Sequence, residues 1–118
     1  MQRHTKIYFV FFGYAPGDFV PSELNFRLAT EIHHIKNKGM GGTNNPEINH
    51  IENIMAVNRK EHDEYGDKKK YLSFLKTSHA TFIRTMKPRY KFEYLEEPPE
   101  VKVKLMRRKL RNLKAAQP

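Results

Sequence analysis

Residues 31–42, EIHHIKNKGMGG, and residues 50–71, HIENIMAVNRKEHDEYGDKKKY, decide how this chain is read. The first carries two adjacent imidazoles, His33 and His34, and runs into a glycine cluster, Gly39, Gly41 and Gly42. The second carries Asn53 on a β-branched run and His62 near a helix start. Between Lys36 and His50 the composition turns to Gly, Asn, Thr and Pro, a loop of about 14 residues. Structureless connections of that length in a small domain usually carry function. Ile51 to Val57 reads as a short strand. Asn58 followed by Glu61 matches a capping box, with Asn in place of Ser or Thr, and opens a helix that places His62 in its first turns. Gly66 reads as the stop of that helix and Asp67 as the cap of the next.

Working outward, Lys6 to Gly13 is β-branched and aromatic and predicts a buried N-terminal strand, followed by a Pro-Gly turn at residues 15–18. Phe26 to Ile32 is expected to supply the strand leading into His33. Tyr71, Leu72, Leu75, Phe82 and Ile83 fall at helical spacing and predict a core-facing helix from Lys68 to about Thr85. Lys87 to Pro99 predicts an irregular connection. Beyond it, Val103, Met106, Leu110 and Leu113 line one face of a final helix, with Lys102, Lys104, Arg107, Arg108, Lys109, Arg111 and Lys114 on the rest. Such a helix could lie along DNA, dock its apolar stripe on the core, or meet a protein partner.

With 118 residues the chain is expected to fold as one domain. Its net charge of +9 is concentrated late: residues 80–118 hold eleven Lys/Arg against four acids, the footprint of a polyanion-binding surface. There is no cysteine, which excludes disulfides and thiolate ligands, so a bound metal must use imidazole, carboxylate, amide or water. No apolar run reaches the roughly 18 residues of a membrane span, and the N-terminus is a poor secretory signal, so a cytoplasmic location is expected.

The His33-His34 pair, the GMGG loop, Asn53 and the HDEYGDKK helix together resemble the His-Asn-His (HNH) endonucleases, in particular their small phage-type members, over roughly residues 18 to 80. The resemblance implies an α+β fold with a ββα-metal core, here flanked by an N-terminal strand over residues 1–17 and a basic C-terminal extension with a helix over residues 87–118. The nuclease domain itself would span residues 18–86. It further implies that His33 and His62 bind one divalent ion (Mg²⁺, Mn²⁺, Ni²⁺ or Zn²⁺), that His34 is the general base, and that Asn53 braces the long loop. Neighbouring strand residues point to opposite faces, so a turn or bulge is expected to bring His33 and His34 to one site.

Some members add a third ligand one helical turn after the last motif histidine. Here that position is Gly66, leaving Asp63, Glu64 or His79 as substitutes, although His79 also falls at core spacing after Leu72 and Leu75. Many relatives carry two Cys-x-x-Cys pairs at the positions of Ser22, Asn25, Asn58 and Glu61. Their absence predicts no structural zinc, with hydrogen bonds and packing holding those loops.

The expectation is therefore a metal-dependent endonuclease hydrolysing DNA with low intrinsic sequence specificity. Arg107, Arg108, Lys109 and Arg111 would contact the backbone, and a monomer is favoured over a homodimer. A phage terminase or other packaging protein would be a natural partner. The alternative from another class is a catalytically inactive HNH-fold protein that binds DNA or serves in assembly.

Overall fold

The aromatic run near the N-terminus is a helix, not the expected strand: in the computed structural model, which describes residues 1–37 and 45–115, α1 spans Arg3–Phe12. A short apolar run is ambiguous between buried strand and buried helix, and the spacing of His4, Tyr8 and Phe12 decides it. His4 and Tyr8 are buried one turn apart, and the Tyr8 and Phe12 rings pack with centroids 4.6 Å apart. Gly13 ends the helix in a left-handed conformation (φ 78°), with Gly13 N–H donating to Val10 O and Tyr14 N–H to Phe9 O, a Schellman closure.

Two short antiparallel strands follow, β1 (Glu31–His34) and β2 (Ile54–Val57), with His33 opposite Met55 and His34 opposite Ile54. The first strand begins later than the sequence predicts. The second is preceded by a 3-10 turn at Ile51–Asn53. Helix α2 (Arg59–Tyr65) follows directly, with the Asn58–Glu61 capping box formed in both directions. Gly66 ends α2 as expected, but Asp67 does not cap the next helix. It adopts a left-handed backbone (φ 56°), and the chain passes through a 3-10 turn at Lys69–Tyr71 into α3 (Leu72–Met86). The final helix, α4, spans Glu100–Ala115.

Every β2 residue is buried, because both faces of the sheet are covered. Ile32, Ile54 and Ala56 pack with Tyr8 and Ile51 in a cluster beneath α1. On the other face Met55 and Val57 pack with Ile35 and Leu75. This two-sided cover makes the chain an α+β fold, and it places His33 on the face of Met55 and His34 on the face of Ile54. Of the α4 stripe, Val103 is buried and Met106 and Leu110 half-buried, while Leu113 is exposed. The packing of α4 is against α3. No helix among the described residues is long and apolar enough to cross a membrane.

Candidate functional site

The capping box fixes where α2 starts, and thereby hangs His62 over β1. The His33 and His62 rings meet edge to face with centroids 4.9 Å apart. His33 is only 6% exposed, and its Nε2, like Nδ1 of His62, is buried without a hydrogen-bond partner. Buried polar atoms normally find partners, so two orphaned imidazole nitrogens in contact invite explanation. Burial lowers the His33 pKa, with the Asp67 charge partly opposing it, which keeps this imidazole neutral and its lone pair available. Carboxylates surround His62: Glu31 Oε2 lies 3.8 Å and Asp67 Oδ2 3.7 Å from its Nε2, and Asp63 Oδ1 lies 3.7 Å from its Nδ1. A pocket of negative charge around two imidazoles, in a chain of net charge +9, has the donor chemistry of a cation site.

His34 projects to the opposite face, and no bulge turns it. Instead a cleft of about 320 Å³ takes in both histidines of the pair together with His4, Glu31, Asn37 and Asp67. His34 Nε2 donates to Asn49 Oδ1 at 2.9 Å, and its ring packs on His4 at 4.2 Å between centroids. His4 is anchored in turn by donating from Nε2 to Ile32 O at 3.0 Å. With Nε2 of His34 carrying the proton, the lone pair of the neutral ring lies on Nδ1.

Asn53 is buried in the angle of the long loop. Its Nδ2 donates to Ile48 O (2.9 Å) and Lys36 O (3.2 Å), and its Oδ1 accepts from Lys36 N–H (2.8 Å). One amide thus ties residues on both sides of the loop. Gly39, Gly41 and Gly42 lie outside the described residues.

Two other polar groupings have structural occupations. His79, a candidate third ligand from the sequence, is fully buried elsewhere: Nδ1 meets Glu23 Oε1 at 2.7 Å and Nε2 donates to Ile51 O at 2.6 Å, so no nitrogen remains for a metal. His50, Glu52 and Glu93 bring one potential ligand atom each within 4.8 Å of one another, a group that could hold a metal ion. The lone pairs of His50 and Glu52 in it are already engaged, however. His50 Nδ1 accepts from Glu52 N–H and its Nε2 lies 2.8 Å from Glu93 Oε2, while Glu52 accepts from Tyr90 Oη and the N–H groups of Glu93, Tyr94 and Leu95. Burial pushes the Glu52 pKa up, but those N–H groups and the Tyr90 hydroxyl outweigh it and hold the carboxylate below its usual range. Glu52 anchors the irregular connection after α3.

Ser22, Asn25, Asn58 and Glu61, the four positions singled out in the sequence, meet in space. Ser22 Oγ donates to Glu61 Oε1 (2.6 Å), Asn58 Nδ2 donates to Asn25 Oδ1 (3.3 Å), and the Leu24 and Asn25 N–H groups donate to Ser22 Oγ. Polar side chains close this corner.

On α4, Arg107, Arg108 and Arg111 are exposed and, at 100° per residue, share a face with Lys104. Lys109 lies apart from them, lining a groove with Leu105, Met106 and Tyr65. The sequence did not single out Glu31, Asn49 or His4, and it read Asp67 only as a helix cap. Glu31 carried only the weak signal of an acid beside the histidine pair, and Asn49 and His4 have no motif spacing. Comparison with protein-family models, with curated proteins and with solved structures finds no match to this chain.

Proposed function

We propose that this chain is a divalent-metal-dependent endonuclease of the HNH type that hydrolyses DNA phosphodiester bonds, with β1, β2 and α2 as its ββα-metal core. The observation that carries this reading is the His33–His62 contact. Two imidazoles on one ion at metal–nitrogen distances of about 2.0–2.1 Å, with ligand angles of about 90–109°, put their ring centroids about 4.5–5.2 Å apart. The observed 4.9 Å falls inside that interval, and both rings hold a buried nitrogen with no other partner. The meeting of Ser22, Asn25, Asn58 and Glu61 supports the same family reading independently.

His33 and His62 would hold the ion, which when bound supplies Lewis-acid stabilisation of the charge that develops on the phosphate and the leaving oxygen. The chain's own groups do the rest. His34, with Nε2 committed to Asn49, presents the Nδ1 lone pair to take a proton from the attacking water. Asn53 keeps the loop, and with it Lys36 and Ile48, in register beneath that histidine. The exposed face of Lys104, Arg107, Arg108 and Arg111 attracts the phosphate backbone without reading bases. That same basic face favours the second reading, a DNA-binding protein without catalysis.

Nicking of supercoiled plasmid with Mg²⁺, Mn²⁺, Ni²⁺ or Zn²⁺ separates the two. Wild type is expected to nick with at least one ion, and His34→Ala to lose about 10²- to 10⁴-fold in rate. Wild type inert with every ion yet shifting DNA in a gel establishes the binding reading. A His34→Ala variant as active as wild type removes the proposed base.

A further inference from the structure

Away from the candidate metal site, a groove of about 510 Å³ runs between α2, α3 and α4. Three aromatic rings line it: Phe26 from the loop before β1, Tyr65 from the end of α2 and Phe74 from α3. Tyr65 and Phe74 pack with centroids 5.2 Å apart, yet Phe74 remains 46% exposed, a large ring facing water. Phe26 reaches the groove from a left-handed backbone (φ 63°), an outlier for a bulky residue. Strain of this kind collects at ligand-binding positions.

Three lysines rim the same groove, Lys60 on α2 and Lys102 and Lys109 on α4. None of them pairs with a carboxylate among the described residues, whereas Lys36, Arg84 and Lys104 do. Two of the acids in the lining are engaged internally, Glu23 by Tyr8 and His79, and Glu61 by Ser22 and the Asn58 N–H. Glu64 is left, so the groove is positive. Thr77 and Lys102 also line an adjoining cleft of about 750 Å³, to which Lys69, Lys76 and Tyr94 contribute. Cations and aromatic rings thus recur along two joined clefts over α3.

We infer that this track binds single-stranded nucleic acid, its rings stacking unpaired bases and its lysines holding the phosphates. The inference rests on the reading of the chain as a nucleic-acid-binding protein, not on catalysis. Every base has a π face, so stacking suits a chain with no base-reading module. In a duplex the bases stack on one another, and an exposed Phe74 ring finds no partner there. The apolar helix of an acidic protein fits less well, because Asn25, Thr77 and Ser78 interrupt the apolar seam that such a helix needs. At 100° per residue Lys60 and Glu64 lie on the side of α2 away from His62, so one helix diameter, about 10–12 Å, separates the track from the candidate metal site.

Fluorescence anisotropy of the full chain with labelled oligo(dT) of about 16 nucleotides, an abasic strand of the same length and a duplex of the same length tests this without reference to cleavage. Wild type is expected to bind oligo(dT) more tightly than the abasic strand. Phe74→Ala should weaken oligo(dT) binding about 5- to 100-fold, the loss of one stacked base, and leave the abasic strand and the duplex unchanged. Lys102→Ala combined with Lys109→Ala should lower the slope of log K against log salt by about 0.7 per lost phosphate contact. The chain has no tryptophan, so Phe74→Trp supplies a single reporter whose fluorescence oligo(dT) should quench and the abasic strand should not. Thermal melts show that the variants fold, and oligo(rU) beside oligo(dT) tells whether RNA or DNA is preferred.

The inference is overturned if wild type binds oligo(dT) no more tightly than the abasic strand, if Phe74→Ala binds it as wild type does, or if Phe74→Ala weakens the duplex by the same factor. A polyglutamate peptide that displaces oligo(dT) and itself loses affinity in Phe74→Ala gives the groove to an acidic protein segment instead. Phe74-dependent oligo(dT) binding by a protein that never nicks plasmid keeps the track and removes the nuclease. Plasmid nicking by a protein that does not distinguish oligo(dT) from the abasic strand does the reverse.

Discussion

His79→Leu tests the most consequential buried polar contact in the molecule. His79 and Glu23 are fully enclosed, joined Nδ1 to Oε1 at 2.7 Å, and each is tied further: His79 to the Ile51 carbonyl, Glu23 to the Tyr8 hydroxyl at 2.7 Å. Together they clamp α1, the segment before β1, the turn before β2, and α3. Removing the imidazole leaves the Glu23 carboxylate buried with Tyr8 and a long contact from Ala56 N–H (3.4 Å), and strips Ile51 O of its donor. Breaking one side of a buried pair in this way costs about 3–5 kcal/mol. An unfolding entropy of about 2.1 cal/mol/K per residue over 118 residues is about 0.25 kcal/mol/K, so Tm should fall by about 12–20 °C.

The pair also sets a pH dependence. Burial alone would lower the His79 pKa, but the Glu23 charge and hydrogen bond outweigh it and raise it. The stabilisation is therefore fully present below the unfolded-state pKa of about 6.5 and is lost as the pH climbs through the higher folded-state value. Wild type should accordingly lose Tm as the pH rises above about 6.5, and His79→Leu should lack that slope. Adding Glu23→Leu to His79→Leu should recover part of the loss, since an apolar pair leaves no stranded charge. A His79→Leu variant within about 1 kcal/mol of wild type, or one with the same fall of Tm with rising pH, refutes this account of the core.

Two further outcomes concern the site and its approach. Asn49→Ala removes the acceptor for His34 Nε2 and should lower kcat about tenfold or more with little change in KM, with Asn49→Asp largely restoring it; the ¹⁵N shifts of the His34 ring, read without substrate, should show the wild-type Nε2–H tautomer giving way to a mixture in Asn49→Ala. Unchanged shifts would mean that Asn49 does not set the tautomer. Replacing Arg107, Arg108 and Arg111 together by Ala should reduce the slope of log K against log salt for DNA by about 0.9 per lost phosphate contact, and an unaltered slope would place the DNA elsewhere.

Periodicity and capping made much of the framework legible. Asn58 and Glu61 form the predicted box, Leu75, Phe82 and Ile83 face the core, and the 3-4-3 spacing from Val103 onward gives α4. The errors arose where local signals are degenerate. Aromatic residues packed closely along the chain at 7–14 satisfy a strand as well as a helix, and only the sheet beneath α1, which buries His4 and Tyr8 one turn apart, selects the helix. Asp67 after Gly66 looks like a helix cap in one dimension. It instead takes a left-handed backbone just after Gly66, where a Cβ would press on the His62 carbonyl, and no spacing rule encodes either feature.

By itself the sequence determined which chemical groups are present and in what local setting: imidazoles at 33, 34 and 62, an amide at 53, no thiol, and a basic final helix. Tertiary structure alone decided which of them meet. The α2 cap brings His62 onto His33, the sheet's two faces separate His34 toward His4 and Asn49, and the core takes His79 for Glu23. The physical reason is that residue type and short-range period specify local backbone conformation and an apolar face, whereas encounters between side chains 28 or more residues apart, such as His33 with His62 or Glu23 with His79, depend on how those faces pack and which buried polar groups must be satisfied.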